Sequence, residues 1–144
     1  MKKLLIIIAS IAFVGTVAFA VSYKNNTYQK LADEYTRQAQ AALNAGRYDE
    51  SIELSKKAEE NAALSRAYID MMLAKKAADD EMKIAQNKIA WAKSIDADKN
   101  FPMAFTAAQN KYSSAEKSYG GEDYKAAANY ARESVALLDG VREV

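Results

Sequence analysis

The sequence has no cysteine, no histidine, one proline and five glycines in 144 residues. Without cysteine there are no disulfides, thiol nucleophiles or cysteine-linked lipids. Without histidine the chain lacks the commonest general base and metal ligand. Ser-His-Asp and Cys-His mechanisms are therefore impossible. A helical-bundle carboxylate metal site, which joins Glu to a Glu-x-x-His motif, has lost its His ligands. The scarcity of Pro and Gly works against a turn-rich β fold and in favour of long helices.

A surface charge of one sign is also missing. Lys and Arg number 20 against 19 Asp and Glu, and setting aside Lys2 and Lys3 leaves 18 against 19, a net of −1. Nucleic-acid binding is not expected, because it needs a clustered positive surface to release counterions. No polybasic stretch beyond the extreme N-terminus is present to hold a membrane surface. Hydrophobic residues make up 50% of the chain, and much of that is alanine. Alanine gives a thin core and lets helices approach closely.

The N-terminus is the one strongly apolar segment. Lys2 and Lys3 precede an uncharged stretch from Leu4 to about Val21, ending in Ala18-Phe19-Ala20. Small residues at Ala18 and Ala20 form the motif a signal peptidase accepts, so residues 1–20 read as a signal peptide cleaved before Val21. The same stretch is long enough at its lower limit for an uncleaved membrane anchor. In both readings the positive end stays cytoplasmic and the remainder is exported: periplasmic, anchored to the inner membrane facing the periplasm, or secreted.

Residues 21–144 read as one all-helical domain. Tyr28, Leu31, Ala32, Tyr35, Ala39, Ala42 and Leu43 step by three and four, with Thr27 as N-cap and Asn44-Ala45-Gly46 as the stop. A second helix opens at Tyr48-Asp49-Glu50 and meets no Gly or Pro before Pro102. Unbroken to Ile95, it would be roughly 70 Å long, and a rotation of its stripe near Leu64-Ser65 leaves a bend open. The expected organisation is a hairpin over 27–62, a helical continuation over 65–96, a linker over 97–101 and a second hairpin over 102–139. Pro102 suits a first helical turn, and Gly120-Gly121 suits a tight turn.

The hairpins repeat each other at an offset of 76 residues. Ala39, Gly46, Tyr48, Ser51, Ser55 and Ala58 align with Ala115, Glu122, Tyr124, Ala127, Ala131 and Ser134. Tyr48 and Tyr124 are expected to wedge at the two corners. Gly46-Arg47-Tyr48-Asp49-Glu50-Ser51-Ile52, and again Gly121 to Ala127 with Ala131, resemble the second-helix opening of a tetratricopeptide repeat. The offset is more than twice that family's period, and its first-helix Trp and Leu-Gly positions are absent. The stretch from Ala67 to Leu138, with Phe101-Pro102 in its linker, is similar to a small Ala-rich helical domain of unknown function in bacterial envelope proteins. That resemblance implies a location more than an activity.

No residue is assigned a catalytic, cofactor-binding or metal-binding role. Acids such as Asp79-Asp80-Glu81 are consecutive on a helix, so they diverge, whereas a glycosidase needs two that converge. Trp91, the one tryptophan, reads either as a half-buried anchor or, with Phe101 and Phe105, as a partner-binding patch. Asn25-Asn26-Thr27 matches a glycosylation sequon but reads better as a helix-cap segment. The expected function is a non-enzymatic, envelope-located helical interaction or scaffold module whose partner is another envelope protein. Membrane contact is expected only through an uncleaved N-terminal segment. Two other readings stay open: self-association into a homo-oligomer through the long helix, and a cell-wall-active hydrolase.

Overall fold

The structure is a computed structural model that describes residues 23–144. Residues 1–22, with the cleavage motif at Ala18 and Ala20, lie outside the described residues. Among the described residues the chain is all-α: α1 (Thr27–Asn44), α2 (Tyr48–Ser94), α3 (Ala97–Asn100), α4 (Pro102–Gly120) and α5 (Tyr124–Ala136). α2 is one uninterrupted helix of 47 residues, with no break at Leu64-Ser65. The stretch read as a linker carries the short helix α3. The described residues divide into two compact units, the first ending at Met72 and the second spanning Leu73–Val144.

The first unit pairs α1 with the N-terminal part of α2. Ala32, Ala39 and Ala42 are buried on α1; Ser51, Ser55, Ala58, Ala62, Ser65 and Ile69 are buried on α2. The α2 positions alternate steps of four and three, the seven-residue period of an antiparallel coiled coil, filled here with small side chains. The Ser51 hydroxyl donates to the Ala39 carbonyl at 2.9 Å, so the seam is tight enough for a side chain to reach the facing backbone. Asn26, not Thr27, is the N-cap of α1. Its Oδ1 accepts from the Gln29 N–H, while Nδ2 donates to Ser65 Oγ at 2.9 Å. That side chain therefore caps one helix and ties it to the next.

The second unit packs the rest of α2 against α4 and α5. Ala78, Ala85 and Ala92 recur every seven residues on α2, all without exposed surface. Ala78 packs with Tyr124, Ala127 and Ala128; Ala85 with Ala115 and Ala131; Ala92 with Phe105, Ala108, Leu138 and Val141. The larger side chains gather at one end, where Leu138 is fully buried. Ser134 donates to the Ala108 carbonyl at 2.7 Å. Asp96, in the left-handed region at φ 57°, ends α2, and Pro102 occupies the first turn of α4.

The two hairpin corners match bond for bond. Ala45, Gly46 and Arg47 donate to the carbonyls of Ala41, Leu43 and Ala42; Gly121, Glu122 and Asp123 donate to those of Lys117, Tyr119 and Ser118. Every one of these atoms is shifted by 76 residues. The registers agree too: Ser134 and Ala108 lie seven residues beyond Ala127 and seven before Ala115, the equivalents of Ser51 and Ala39. The crossed pattern is the Schellman ending, which needs one left-handed residue. In the first corner it is Gly46, at φ 76°. In the second it is Glu122, at φ 61°, and not Gly120 or Gly121. A non-Gly side chain there is strained by about 1 kcal/mol.

Three stability changes follow. Glu122→Gly raises the stability of the chain by about 0.5 kcal/mol, while Gly46→Ala lowers it by about 1 kcal/mol. Leu138→Ala lowers it by about 3 kcal/mol, because it opens a cavity where the core is widest. Urea unfolding followed by circular dichroism checks all three.

Candidate functional site

The corner residues part company in the structure. Tyr124 opens α5 at 9% exposure, its ring edge-on to Tyr119 with centroids 5.1 Å apart. Tyr48, its equivalent, is 58% exposed and does not wedge into the first corner. The physical reason is local: Tyr124 packs with Ala78 and Ala74 of α2 within the second unit, whereas among the described residues the first unit pairs only α1 with α2 and offers no further helix to receive Tyr48.

The Tyr119 hydroxyl donates to Asp79 Oδ1 at 2.6 Å, which pins the second corner to α2. Lys75 Nζ lies 3.8 Å from Asp79 Oδ2 and 5.9 Å from the centre of the Tyr119 ring. The hydrogen bond to Asp79 is the main reason that the Tyr119 hydroxyl holds its proton above the ordinary tyrosine range, with burial second. Lys75 is likewise shifted upward, first by Tyr119 and then by Asp79. This cluster holds the fold, and its acids are engaged with their neighbours: Asp80 pairs with Lys76 and Glu81 with Arg132.

Of the aromatic residues singled out in the sequence, the structure brings two together and separates the third. Phe105 is 4% exposed in the core, and Phe101 packs half-buried against the same cluster. Neither offers a free aromatic face. Trp91 is 38% exposed on α2, with Lys88 Nζ only 4.1 Å from the centre of its ring. Ile84, one seven-residue step earlier, is 52% exposed. At spacings of four and three, Ile84, Lys88 and Trp91 share one edge of α2. Residues 82–95 contain three lysines and no acid. The Lys88 contact is a cation–π interaction that orients the indole without covering it.

Sequence reasoning missed a second feature of this unit. A groove of about 210 Å³ runs between α2 and α4, lined by Gln86, Ile89, Gln109, Tyr112, Ser113 and Glu116. The signal was available as a polar stripe on α4 at spacings of three and four, on the flank of the Ala108 and Ala115 seam. Burial, and secondarily Glu116, keep the Tyr112 hydroxyl protonated beyond its usual range. Another hollow, at the start of α1, is lined by Asn25, Asn26, Thr27, Tyr28, Lys30 and Tyr68. Among the described residues no three acids are grouped so as to hold a metal ion. No described helix is long and apolar enough to cross a membrane.

The chain is similar to Treponemal membrane protein B of Treponema pallidum (strain Nichols), at 29% identity over 123 residues. The match covers 85% of this chain but 38% of that protein, so the chain spans well under half the length of its relative. No family model and no solved structure matches the chain.

The Tyr119 cluster makes stability sensitive to alkali. Both raised groups stabilise the fold below their ordinary values, about 10 for Tyr and about 10.4 for Lys, and that contribution disappears as pH rises through the folded values. The thermal unfolding temperature of the wild-type chain is expected to decline above pH of about 10. Tyr119→Phe should be less stable at neutral pH and show a flatter alkaline decline.

Proposed function

We propose that the chain is a non-enzymatic helical interaction module of the bacterial envelope, and that the Trp91 edge of α2 is its contact surface for another envelope protein. The exposed indole carries the reading. In a unit whose seams are lined with alanine, the one tryptophan stays outside the core, oriented by Lys88 and extended by Ile84. Partly exposed Trp is the residue type most enriched among interface hot spots. Phe105 is buried and Phe101 packs against the core, so neither shares this role.

The envelope location draws on two supports. One is the apolar N-terminal segment with its small-residue motif at Ala18 and Ala20. The other is the similarity to a protein named as a treponemal membrane protein. The chain corresponds to part of that protein's length, so membrane association and any partner of the relative are carried over as proposals. Absence of catalytic activity rests on the missing Cys and His and on the dispersal of the acids along α2.

Mild crosslinking in the envelope fraction, followed by purification of the full chain, tests the assignment. A specific envelope protein should be recovered with wild type and reduced about tenfold with Trp91→Ala, a loss of about 1.4 kcal/mol. Equal recovery with both, or no specific protein with either, argues against the Trp91 surface.

A further inference from the structure

The chain enters the first unit by a short route. The uncharged apolar run ends at Val21, and the first described residue is Tyr23. Two residues of chain span at most about 7 Å. Tyr23 is in turn tied to the helices. Asn26 Nδ2 donates to the Tyr23 carbonyl and to Ser65 Oγ, each at 2.9 Å, while its Oδ1 caps α1. The entry point is thus fixed to both α1 and α2.

This bonding limits where the unit can lie when the apolar run is held in a bilayer. The headgroup layer extends about 5–8 Å beyond the hydrocarbon core on each side. With the run ending at the core boundary, a connection of about 7 Å keeps Tyr23, and the start of α1 with it, in that layer. No loose linker lets the unit move away.

The residues at this end suit such a layer. Tyr28 and Tyr68 line a hollow of about 530 Å³ with Asn25, Asn26, Thr27 and Lys30, and Tyr23 is half-buried beside Asn26. Tyrosine joins an apolar ring to a polar tip, which favours membrane–water interfaces. Residues 1–32 contain four lysines and no acid, and no acid borders the hollow. Arg66 and Asp70 of α2 flank Tyr68 and cancel, so Lys24 and Lys30 leave this end positive. The opposite end of the hairpin carries Asp49, Glu50 and Glu53 against Arg47. Charge is therefore polarised along the unit, with the positive end at the entry point.

We propose that this end of the first unit is a membrane-contact surface in the uncleaved chain: Tyr23, Tyr28 and Tyr68 sit in the headgroup layer, and Lys24 and Lys30 meet the phosphates of anionic lipids. The inference rests on the envelope reading above and on retention of the apolar run. It extends membrane contact from that run to the folded unit. Two lysines on an open surface hold free phosphate weakly, whereas tethering beside a bilayer raises the effective concentration of lipid phosphate. Each lysine strengthens the attraction to an anionic surface about fivefold.

The test uses the full uncleaved chain in vesicles of phosphatidylcholine, alone or mixed with phosphatidylglycerol, containing a lipid with a nitroxide on its headgroup. Trp91→Phe removes the native tryptophan, and Tyr28→Trp, Tyr68→Trp or Tyr48→Trp then places one reporter. The 18 residues of α1 extend over about 27 Å, with Tyr28 at one end and Tyr48 beyond the other. Tyr28→Trp and Tyr68→Trp should lose most of their emission, more so with phosphatidylglycerol, and Tyr48→Trp should keep it. Adding Lys24→Glu/Lys30→Glu should abolish the dependence on phosphatidylglycerol. No quenching at positions 28 and 68, equal quenching at 48, or indifference to anionic lipid overturns the proposal.

A photoactivatable headgroup lipid, crosslinked to the unsubstituted chain and mapped by mass spectrometry, decides the matter if a variant does not fold. It should mark residues 23–30 and Tyr68 but not residues 44–53, and the reverse pattern overturns the proposal. Removal of residues 1–20 in cells overturns it too, yet leaves the Trp91 surface on an exported module. Entry into vesicles without quenching overturns it and leaves the envelope reading intact, whereas failure to enter vesicles counts against both.

Discussion

The close approach of helices through small side chains is the constraint on which the other features depend. Ser51 and Ser134 reach the facing carbonyls of Ala39 and Ala108 because no larger residue stands between the backbones. A buried alanine contributes little by itself, about 0.8 kcal/mol per methyl-sized group. What the small residues supply is contact between the helix backbones, many weak dispersion terms at short range. The hydroxyl bonds then hold one register, since a shift along the seam would bury a donor without a partner. Repeating the same corner at an offset of 76 residues gives two hairpins with one geometry, each closed by a left-handed residue.

A seam made this way has consequences for the surface. Most large apolar side chains do not fit between the helices: apart from Ile69 and Tyr124, the buried ones gather at the Phe105–Leu138–Val141 end of the second unit, and many others lie on the outside. Tyr48, Leu64, Met71, Ile84 and Trp91 are all at least 38% exposed. Isolated exposed hydrophobics are ordinary on a protein surface. Trp91 differs because a lysine orients its ring, and because the surrounding stretch of α2 carries no acid. The groove on the other flank of α2 arises in a related way. Beside the Ala108 and Ala115 seam, α4 carries residues that need not pack, and their polar ends are left facing solvent.

Much of the architecture was legible in the residues. Steps of three and four located the helices, the 76-residue repeat located both corners, and Pro102 marked the start of α4. Several details were not. Thr27 and Asn26 are both good caps, and only the reach of Asn26 Nδ2 to Ser65, 39 positions away, distinguishes them. Gly120-Gly121 drew attention as the turn because Gly tolerates positive φ, yet the bond pattern of the first corner places that conformation at Glu122. Phe101, Phe105 and Trp91 looked alike as a sequence cluster. Burial separated them, because it depends on which side of a helix the neighbouring helix occupies.

The sequence by itself determined helix content, the thinness of the core, the absence of Cys- and His-based chemistry, and the equivalence of the two hairpins. These follow from composition and periodicity, which act locally along the chain. Only the tertiary structure decided that Tyr124 is buried while Tyr48 is exposed, that Trp91 remains outside the core, and that Gln86 and Ile89 border one groove with Gln109 and Tyr112. Each of these depends on a contact, or a missing contact, between residues far apart in the chain. Local propensity is the same in either case and cannot distinguish them.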